Sequence, residues 1–381
     1  MSIASQADTQ TAKTFWRRVL FSWLIGSIGA YFLTSFFSNF HAAIYEFILL
    51  SLFFQFLGGT AAFLFFDGTL QKHRQNDPLA VLMLLIAFAL SVAAVIISWQ
   101  FPGLFDRRIL FMDSARLPFF ALLALITLAA SSVLLKTMDR NGSFERFKQT
   151  RFFEFVRGNG AGLLLAMFFL MTYLIFAESI NFPGFRTLDQ FFDTDISEWL
   201  ARLTATTFED LSIVRAVHPA VLLFLRPPVW FISLFLNGDR LQAVFLMNAL
   251  AGAACVLLAW LIVKRASGNT AYSLIMAALL GASSSHLLLS SMLETYIYSA
   301  LALLLFTFLI QNQHTSLKFT IPAGVLVFGI TITNLIQTCI LYFFNYPRIK
   351  VLIKYILIVM VITATLNLLQ VWIYPNARSL F

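Results

Sequence analysis

The sequence contains little charge and almost no cysteine. Charged residues make up 12% of its 381 positions, and its two cysteines, Cys255 and Cys339, each lie inside an apolar run. Two isolated cysteines in such surroundings argue against a disulfide framework and against a cysteine-based metal site. The Walker loop and the GxGxxG, HExxH, GxSxG and CxxC motifs are also missing. The sequence therefore lacks the common signatures of nucleotide-binding proteins and soluble hydrolases.

Apolar residues, in contrast, dominate the composition. The hydrophobic fraction is 60% and the mean hydropathy is +0.83, far above the average of soluble globular proteins. Because helices satisfy their own backbone groups in lipid, this composition predicts an all-α, polytopic helical membrane protein. The net charge of +8 is spread over loops, so it indicates topology and gives no reason to expect a nucleic-acid partner.

Apolar runs of roughly twenty residues are long enough to cross a bilayer. They predict spans near 19–37, 42–66, 79–101, 117–136, 161–181, 242–263, 271–288, 296–311 and 351–373. Two further apolar segments depart from this pattern. Residues 319–346 are interrupted by polar residues at 331–337, which predicts two short helices that meet at a polar elbow. Residues 219–236 contain Arg226-Pro227-Pro228, which predicts a re-entrant or interfacial helix.

The distribution of lysine sets the predicted orientation. With a cytoplasmic N-terminus, all lysines fall in cytoplasmic positions, and the strongest basic cluster lies at 136–157. The positive-inside rule then places the acidic loop 182–218 on the extracytoplasmic face. Because the basic stretch has no room for a span, it also predicts a boundary between a four-helix region, 1–157, and a second region, 158–381.

The acidic loop carries the densest group of ionisable residues, among them Asp193 and Asp195. From Asp195 onward the sequence has helical periodicity. The pattern predicts an amphipathic interfacial helix, with Ile196, Trp199, Leu200 and Leu203 on one face and Asp195, Glu198 and Arg202 on the other. Such a helix presents its carboxylates at the membrane surface. The alternative is that Asp195-x-x-Glu198 is a capping box without further function.

Three residues outside this helix are further candidates. His218 precedes Pro219 where the chain re-enters the membrane, and it is either a functional residue or a simple interfacial one. Arg226 lies inside an apolar run, where it needs an anion: a loop carboxylate, a lipid head group or a phosphorylated substrate. Glu294 lies at the outer end of the hairpin 271–311, where a carboxylate is costly unless it lines a wet cavity or pairs with a cation such as Arg226. His286 nearby is expected to be a hydrogen-bonded structural histidine.

Taken together, these residues resemble the GT-C superfamily of integral-membrane glycosyltransferases, especially bacterial relatives of protein O-mannosyltransferases and of lipid A aminoarabinose transferases. In chain order, the features that carry the resemblance are Asp193-Thr194-Asp195, the interfacial helix, His218-Pro219, the helix ending in Lys264-Arg265, Glu294-Thr295-Tyr296 and the elbow Ile330–Asn334. In that elbow, Asn334 stands where the family often has a lysine. The resemblance covers roughly residues 158–381. It implies a GT-C-like bundle that follows four extra transmembrane helices and is either a minimal variant or truncated at its C-terminus.

The resemblance implies a sugar transfer from a polyprenyl-phosphate carrier to an acceptor glycan, lipid or protein, with inversion. The expected location is a bacterial cytoplasmic membrane, with the active face on the extracytoplasmic side. Asp195, or Asp193 as second choice, would be the general base on the acceptor hydroxyl. Arg226, with His218, would neutralise the departing lipid phosphate. Glu294 would orient hydroxyl groups or assist a divalent cation, and Glu198 and Asn334 would be further substrate-binding residues.

Two other functions remain open at this point. The first is a transporter or flippase-like protein, whose broken helices and outer acidic rim guide an ion or a lipid. The second is a catalytically inactive scaffold with the same fold. An enzyme of the GT-C kind requires Asp195, Glu294 and Arg226 around one outer cavity.

Overall fold

The computed structural model describes residues 3–41, 43–66, 77–101, 110–181, 195–207, 212–314 and 316–380. Within these ranges the chain is helical, and its one β-type contact is an isolated bridge between Val214 and Ala377. Seven helices in these described ranges are long and apolar enough to cross a membrane. The prediction of an all-α, polytopic membrane protein is thus confirmed. The chain divides into two compact units, Met1–Phe168 and Phe169–Phe381, so this division falls inside a helix rather than at the predicted position after residue 157.

The first unit contains the four predicted N-terminal spans. Its helices are α1 (Ile3–Ser38), α2 (Ile44–Phe66), α3 (Pro78–Gln100), α4 (Leu117–Arg140), α5 (Ser143–Lys148) and the first half of α6 (Arg151–Ile180). Helices α1, α2 and α4 pack together, and the indole of Trp23 on α1 donates to Thr127 on α4 at 3.2 Å. In α3 only Ala80 and Ser98 are buried, as expected of a helix that faces lipid.

Glycine determines how closely α1 and α2 approach. A Cβ atom on Gly58 would lie 2.5 Å from the carbonyl oxygen of Gly26 on the facing helix, so the two backbones are in direct contact. Close approach through small residues is typical of helix pairs in membranes, where apolar burial gives little net attraction. Beside the contact, the Ser27 hydroxyl donates to the Gln55 side-chain oxygen at 2.8 Å.

The second unit begins with the rest of α6 and continues with shorter helices. They are α7 (Ile196–Thr204), α8 (Val221–Leu234), α9 (Arg240–Ser267), α10 (Thr270–Ala282), α11 (Ser284–Leu289), α12 (Tyr296–Gln311), α13 (Leu317–Ile330), a 3-10 turn (Ile332–Asn334), α14 (Leu335–Asn345) and α15 (Ile349–Ile373). The polar elbow is confirmed, because α13 ends at Ile330 and α14 begins at Leu335. The predicted span 271–288 is wrong: it consists of α10 and α11, which are separated at Ser283.

Helix α8 also differs from expectation, because it continues through Pro227 and Pro228 without a break. Its N-terminal end is held by the end of α13 and by polar side chains of α15. The amide of Ala220 donates to the carbonyl of Gly329 at 2.9 Å, and the amide of Leu222 donates to the Gln370 side chain at 2.8 Å. Gln370 in turn donates to the carbonyl of His218 at 3.1 Å. Residues 217–222 are therefore fixed from two sides.

Candidate functional site

Helix α7 is the short amphipathic helix that the loop sequence predicts. Ile196, Trp199 and Leu203 are buried, and the exposed fraction of each is 2% or less. Leu200 is half-buried. The predicted apolar face is therefore confirmed, and packing of this face fixes the direction in which Asp195 and Glu198 project.

Arg202 does not lie on the exposed polar face, so that part of the prediction is wrong. Its side chain is 1% exposed, its guanidinium lies 4.6 Å from the centre of the Trp199 ring, and it pairs with Glu198 and with the carbonyl of Ile213. Burial is tolerated because the ring face and the carboxylate offset the loss of water. Among the described residues, the buried Nε and Nη1 of Arg202 have no hydrogen-bond partner.

Glu294 and Asp195 meet at the beginning of α7. Oε1 of Glu294 accepts the backbone N–H of Asp195 at 2.8 Å, although the two residues are 99 positions apart. Oε2 of Glu294 accepts the N–H of Thr295 at 3.2 Å. The carboxyl group of Glu294 thus joins the beginning of α7 to the segment 290–295 between α11 and α12, which we call the carboxylate loop.

Polar side chains from two long helices hold the carboxylate loop. Asn181, at the end of α6, donates to the carbonyl of Ser291 at 2.7 Å, and Asn248 of α9 donates to the carbonyl of Met292. The hydroxyl of Ser291 donates to the carbonyl of Tyr173 at 3.1 Å. Buried backbone groups are costly when they lack partners, and these bonds satisfy them. Glu294 is therefore presented from a rigid support.

Burial makes the carboxyl group of Glu294 a weaker acid than usual. The residue is 2% exposed, and removal of water from around its carboxyl raises its pKa to about 7. The N–H groups of Thr295 and Asp195 favour the charged form and limit the rise, whereas the nearby Asp195 adds to it. The protonated form of Glu294 is therefore favoured over a wider pH range than that of an exposed glutamate.

Asp195 is not the cap of a capping box. Its side chain makes no cap hydrogen bond to α7. Its backbone N–H, which Glu198 would accept in a capping box, is taken by Glu294, while Glu198 pairs with Arg202. The Asp195 side chain is 30% exposed and lies 3.3 Å from the guanidinium of Arg215. The capping alternative is therefore wrong for the described contacts, and a half-exposed carboxylate is left at the start of the helix.

His218 lies beside this group but points toward the elbow. Its Nδ1 lies 2.7 Å from the carbonyl oxygen of Ile330, and its ring packs edge-on against Trp199 at 5.3 Å. Burial lowers the pKa of His218, against the opposing effect of the Ile330 carbonyl. A neutral imidazole that donates from Nδ1 leaves Nε2 as an acceptor. Asn334 is the last residue of the 3-10 turn in the elbow, and its backbone N–H donates to the carbonyl of Thr331 at 3.2 Å.

Arg226 lies at the opposite end of α7. Its Nη1 and Nη2 donate to the carbonyls of Arg202 and Ala205 at 2.7 and 2.8 Å. Arg240, the first residue of α9, also donates to the carbonyl of Ala205. A rise of about 1.5 Å per residue puts these carbonyls about 10 to 15 Å from Asp195 along the helix axis. Arg226 therefore does not share one cluster with Asp195 and Glu294, so the described residues do not show the grouping of these three that was expected of a GT-C enzyme. The guanidinium of Arg226 instead contacts carbonyls at a helix C-terminus, where positive charge is favoured.

Three further predictions from the sequence concern Asp193, His286 and a divalent cation. Asp193 lies outside the described residues. His286 is the structural histidine that was expected, because its Nε2 lies 3.2 Å from the carbonyl oxygen of Gly252. For a divalent cation, the described residues contain no group of three or more His, Cys, Asp or Glu side chains that could hold a metal ion, and the expectation of such a cation stays a prediction.

Four residues of this region were missed by the sequence argument. Arg215 and Arg240 are ordinary loop and helix-start arginines in the sequence, and nothing in their spacing singles them out. Asn181 and Asn248 did carry a signal, because an amide side chain within an apolar span requires a partner.

We call the group formed by Asp195, Glu198, Arg202, Arg215 and Glu294 the acidic site.

Comparisons with known proteins add no assignment. The sequence matches no protein-family model and no curated protein, and no solved structure matches. The resemblance to GT-C enzymes therefore rests on the residues of this chain.

Proposed function

We propose that this protein is a membrane enzyme that transfers a sugar from a polyprenyl-phosphate donor to an acceptor on the extracytoplasmic face, with inversion at the anomeric carbon. The observation that carries the proposal is the contact between Glu294 and Asp195. Two carboxyl groups in different surroundings, one buried with a raised pKa and one half-exposed, are typical of sites that move protons.

The acidic site suits a direct displacement. Asp195 takes the proton of the acceptor hydroxyl, and the acceptor oxygen attacks the anomeric carbon on the face opposite to the phosphate. The bond between that carbon and the phosphate oxygen breaks, and the lipid phosphate leaves with the electron pair. Arg226, to which the resemblance assigns the leaving phosphate, lies outside the acidic site. Arg215, which is 59% exposed and lies beside Asp195, would stabilise the leaving phosphate instead.

Glu294 has a positioning role in this proposal. Its carboxyl holds the backbone of Asp195, and the carboxylate loop is in turn held by α6 and α9. A general base must lie within hydrogen-bond reach of the proton it takes, so an error of 1 Å in its position slows the reaction strongly. The rigid support of Glu294 supplies that position.

The test is a donor assay with the full-length protein in proteoliposomes that contain a bacterial total-lipid extract. Each proteoliposome sample receives one polyprenyl-phosphate hexose, and mass spectrometry measures the sugar-free polyprenyl phosphate that is formed. The proposal predicts release from at least one donor. A protein that releases no sugar from any donor, but moves a fluorescent polyprenyl phosphate between leaflets, would be a flippase-like transporter instead.

A further inference from the structure

The arginine pair at the end of α7 forms a second charged site, separate from the acidic site. Arg226 and Arg240 both donate to the carbonyl oxygen of Ala205, so their guanidinium groups lie side by side. Each is half-buried. In the parts of the chain that the structure describes, neither forms a salt bridge with a carboxylate. Two like charges held together in this way repel each other, and the cost is relieved by an anion between them.

Two carboxylates near the pair, in the part of the chain that the structure describes, accept hydrogen bonds from Gln242. Asp239, the residue before Arg240, caps α9 by accepting a hydrogen bond from the backbone N–H of Gln242 at 2.9 Å. Glu178 accepts from the side chain of Gln242 at 2.7 Å. The carbonyls at the end of α7 carry partial negative charge only, which is less than two guanidinium groups require. Among the described residues, neither carboxylate forms an ion pair with Arg226 or Arg240.

The donors of the pair are also not used up. A guanidinium carries several N–H groups in one plane, in a geometry that fits phosphate oxygens. Arg226 uses Nη1 and Nη2 for the two carbonyls and has Tyr374 as a further partner, with the ring centre 5.4 Å away. The described contact of Arg240 is through Nη1. Arg240 thus offers most of its donors to a bound anion.

An apolar surface adjoins the pair. Trp230 and Phe231 lie about one helical turn after Arg226 on α8, and they are 55% and 56% exposed. Leu234 and Phe235, one turn further, are 56% and 54% exposed. The opposite face of α8 is buried in the second unit. Exposed tryptophan beside arginine is typical of the boundary between head groups and hydrocarbon.

From these features we propose that Arg226 and Arg240 bind the phosphate head group of a membrane lipid, whose hydrocarbon chains lie along the exposed face of α8. The ligand is a lipid phosphate monoester, because a doubly charged group matches two arginines better than a zwitterion does. This site is separate from the acidic site and requires no transfer chemistry. A protein without transferase activity would still bind the lipid here.

The test measures lipid binding to the full chain in neutral detergent by native mass spectrometry. Dioleoyl phosphatidate is the probe, dioleoyl phosphatidylcholine is the zwitterionic comparison, and inorganic phosphate is the competitor. The wild type is expected to bind phosphatidate more tightly than phosphatidylcholine. Arg240→Gln should weaken phosphatidate binding roughly tenfold or more, since it removes charge-assisted hydrogen bonds, whereas Arg240→Lys should keep most of the affinity.

Two further variants test the geometry. Arg265→Gln, on an exposed residue at the other end of α9, should leave phosphatidate binding unchanged. Trp230→Ala should weaken phosphatidate binding without affecting the binding of inorganic phosphate. Because Arg226 also holds α7, the decisive comparison uses Arg240, and thermal unfolding checks that its variants are folded.

If Arg240→Gln binds phosphatidate as tightly as the wild type, the proposed site is wrong. The site is also wrong if Arg265→Gln loses as much phosphatidate affinity as Arg240→Gln. Inorganic phosphate that binds as tightly as phosphatidate, with no effect of Trp230→Ala, would identify a site for free phosphate and overturn the lipid assignment.

Discussion

Glu294→Gln should change the way in which stability depends on pH. The pKa of Glu294 is raised from 4.5 to about 7, chiefly because burial removes water from the carboxyl. Below pH 4.5 the carboxyl is neutral in both the folded and the unfolded protein, so folding carries no penalty. As pH rises from 4.5 to about 7, the unfolded chain ionises first and the free energy of unfolding falls. At about 1.4 kcal/mol per pH unit, the loss amounts to about 3 kcal/mol.

Glutamine removes this loss because it does not ionise. Its carbonyl oxygen can still accept the N–H of Asp195, but its NH₂ group cannot accept the N–H of Thr295, and that change costs about 1 kcal/mol. The variant should therefore be about 1 kcal/mol less stable than the wild type at pH 4, nearly as stable at pH 5 and about 2 kcal/mol more stable at pH 8. For a unit of this size, these values correspond to a Tm roughly 2–4 °C lower at pH 4 and roughly 4–8 °C higher at pH 8.

Tryptophan fluorescence of the full chain in detergent, recorded on heating at several pH values, measures these shifts. Glu145→Gln is the control, because Glu145 is an exposed residue of α5 that pairs with Lys148. Its curve of Tm against pH should run parallel to that of the wild type. If the Glu294→Gln curve is also parallel to the wild type between pH 5 and pH 8, the buried carboxyl does not have the raised pKa on which the reasoning rests.

Two other predictions concern packing and topology. Gly58→Ala should lower stability by about 1–3 kcal/mol, because its Cβ would lie 2.5 Å from the carbonyl oxygen of Gly26. Gly29→Ala is the control and should not be destabilised, because its Cβ meets nothing within 4 Å. Equal losses of Tm in the two variants, measured by thermal unfolding, would contradict the close contact. In a cysteine-free background, Thr206→Cys should react with an impermeant thiol reagent added outside intact cells. Ser143→Cys should react only after the cells are opened. The reverse pattern would contradict the predicted orientation.

The sequence alone predicts the long helices well, because a span needs little more than length and apolar composition. It also predicts the elbow, since polar residues interrupt an apolar run there. The interfacial helix α7 follows from its periodicity, but the position of Arg202 does not. Arg202 lies three residues after Trp199, close to the apolar face, and its burial depends on the aromatic ring and on Glu198.

The arrangement of the acidic site could not be predicted from spacing. Glu294 meets Asp195 across 99 positions, and the contact depends on how α6 and α9 hold the carboxylate loop. Arg226 shows a second limit. Its need for an anionic partner was clear from the apolar run, but the described partners are backbone carbonyls at the end of α7, which no pattern of residue types reveals.

The most direct test of the proposed reaction replaces the carboxylate of Asp195. Asp195→Asn keeps the shape of the side chain and removes its basicity, so sugar transfer from the polyprenyl-phosphate donor should fall by roughly a hundredfold or more. Asp239→Asn is the matched control, because Asp239 caps α9 and asparagine caps a helix equally well. Both variants should keep the Tm of the wild type within a few degrees. Full transfer activity in the Asp195→Asn protein, measured as release of sugar-free polyprenyl phosphate, would contradict the assignment of Asp195 as the general base.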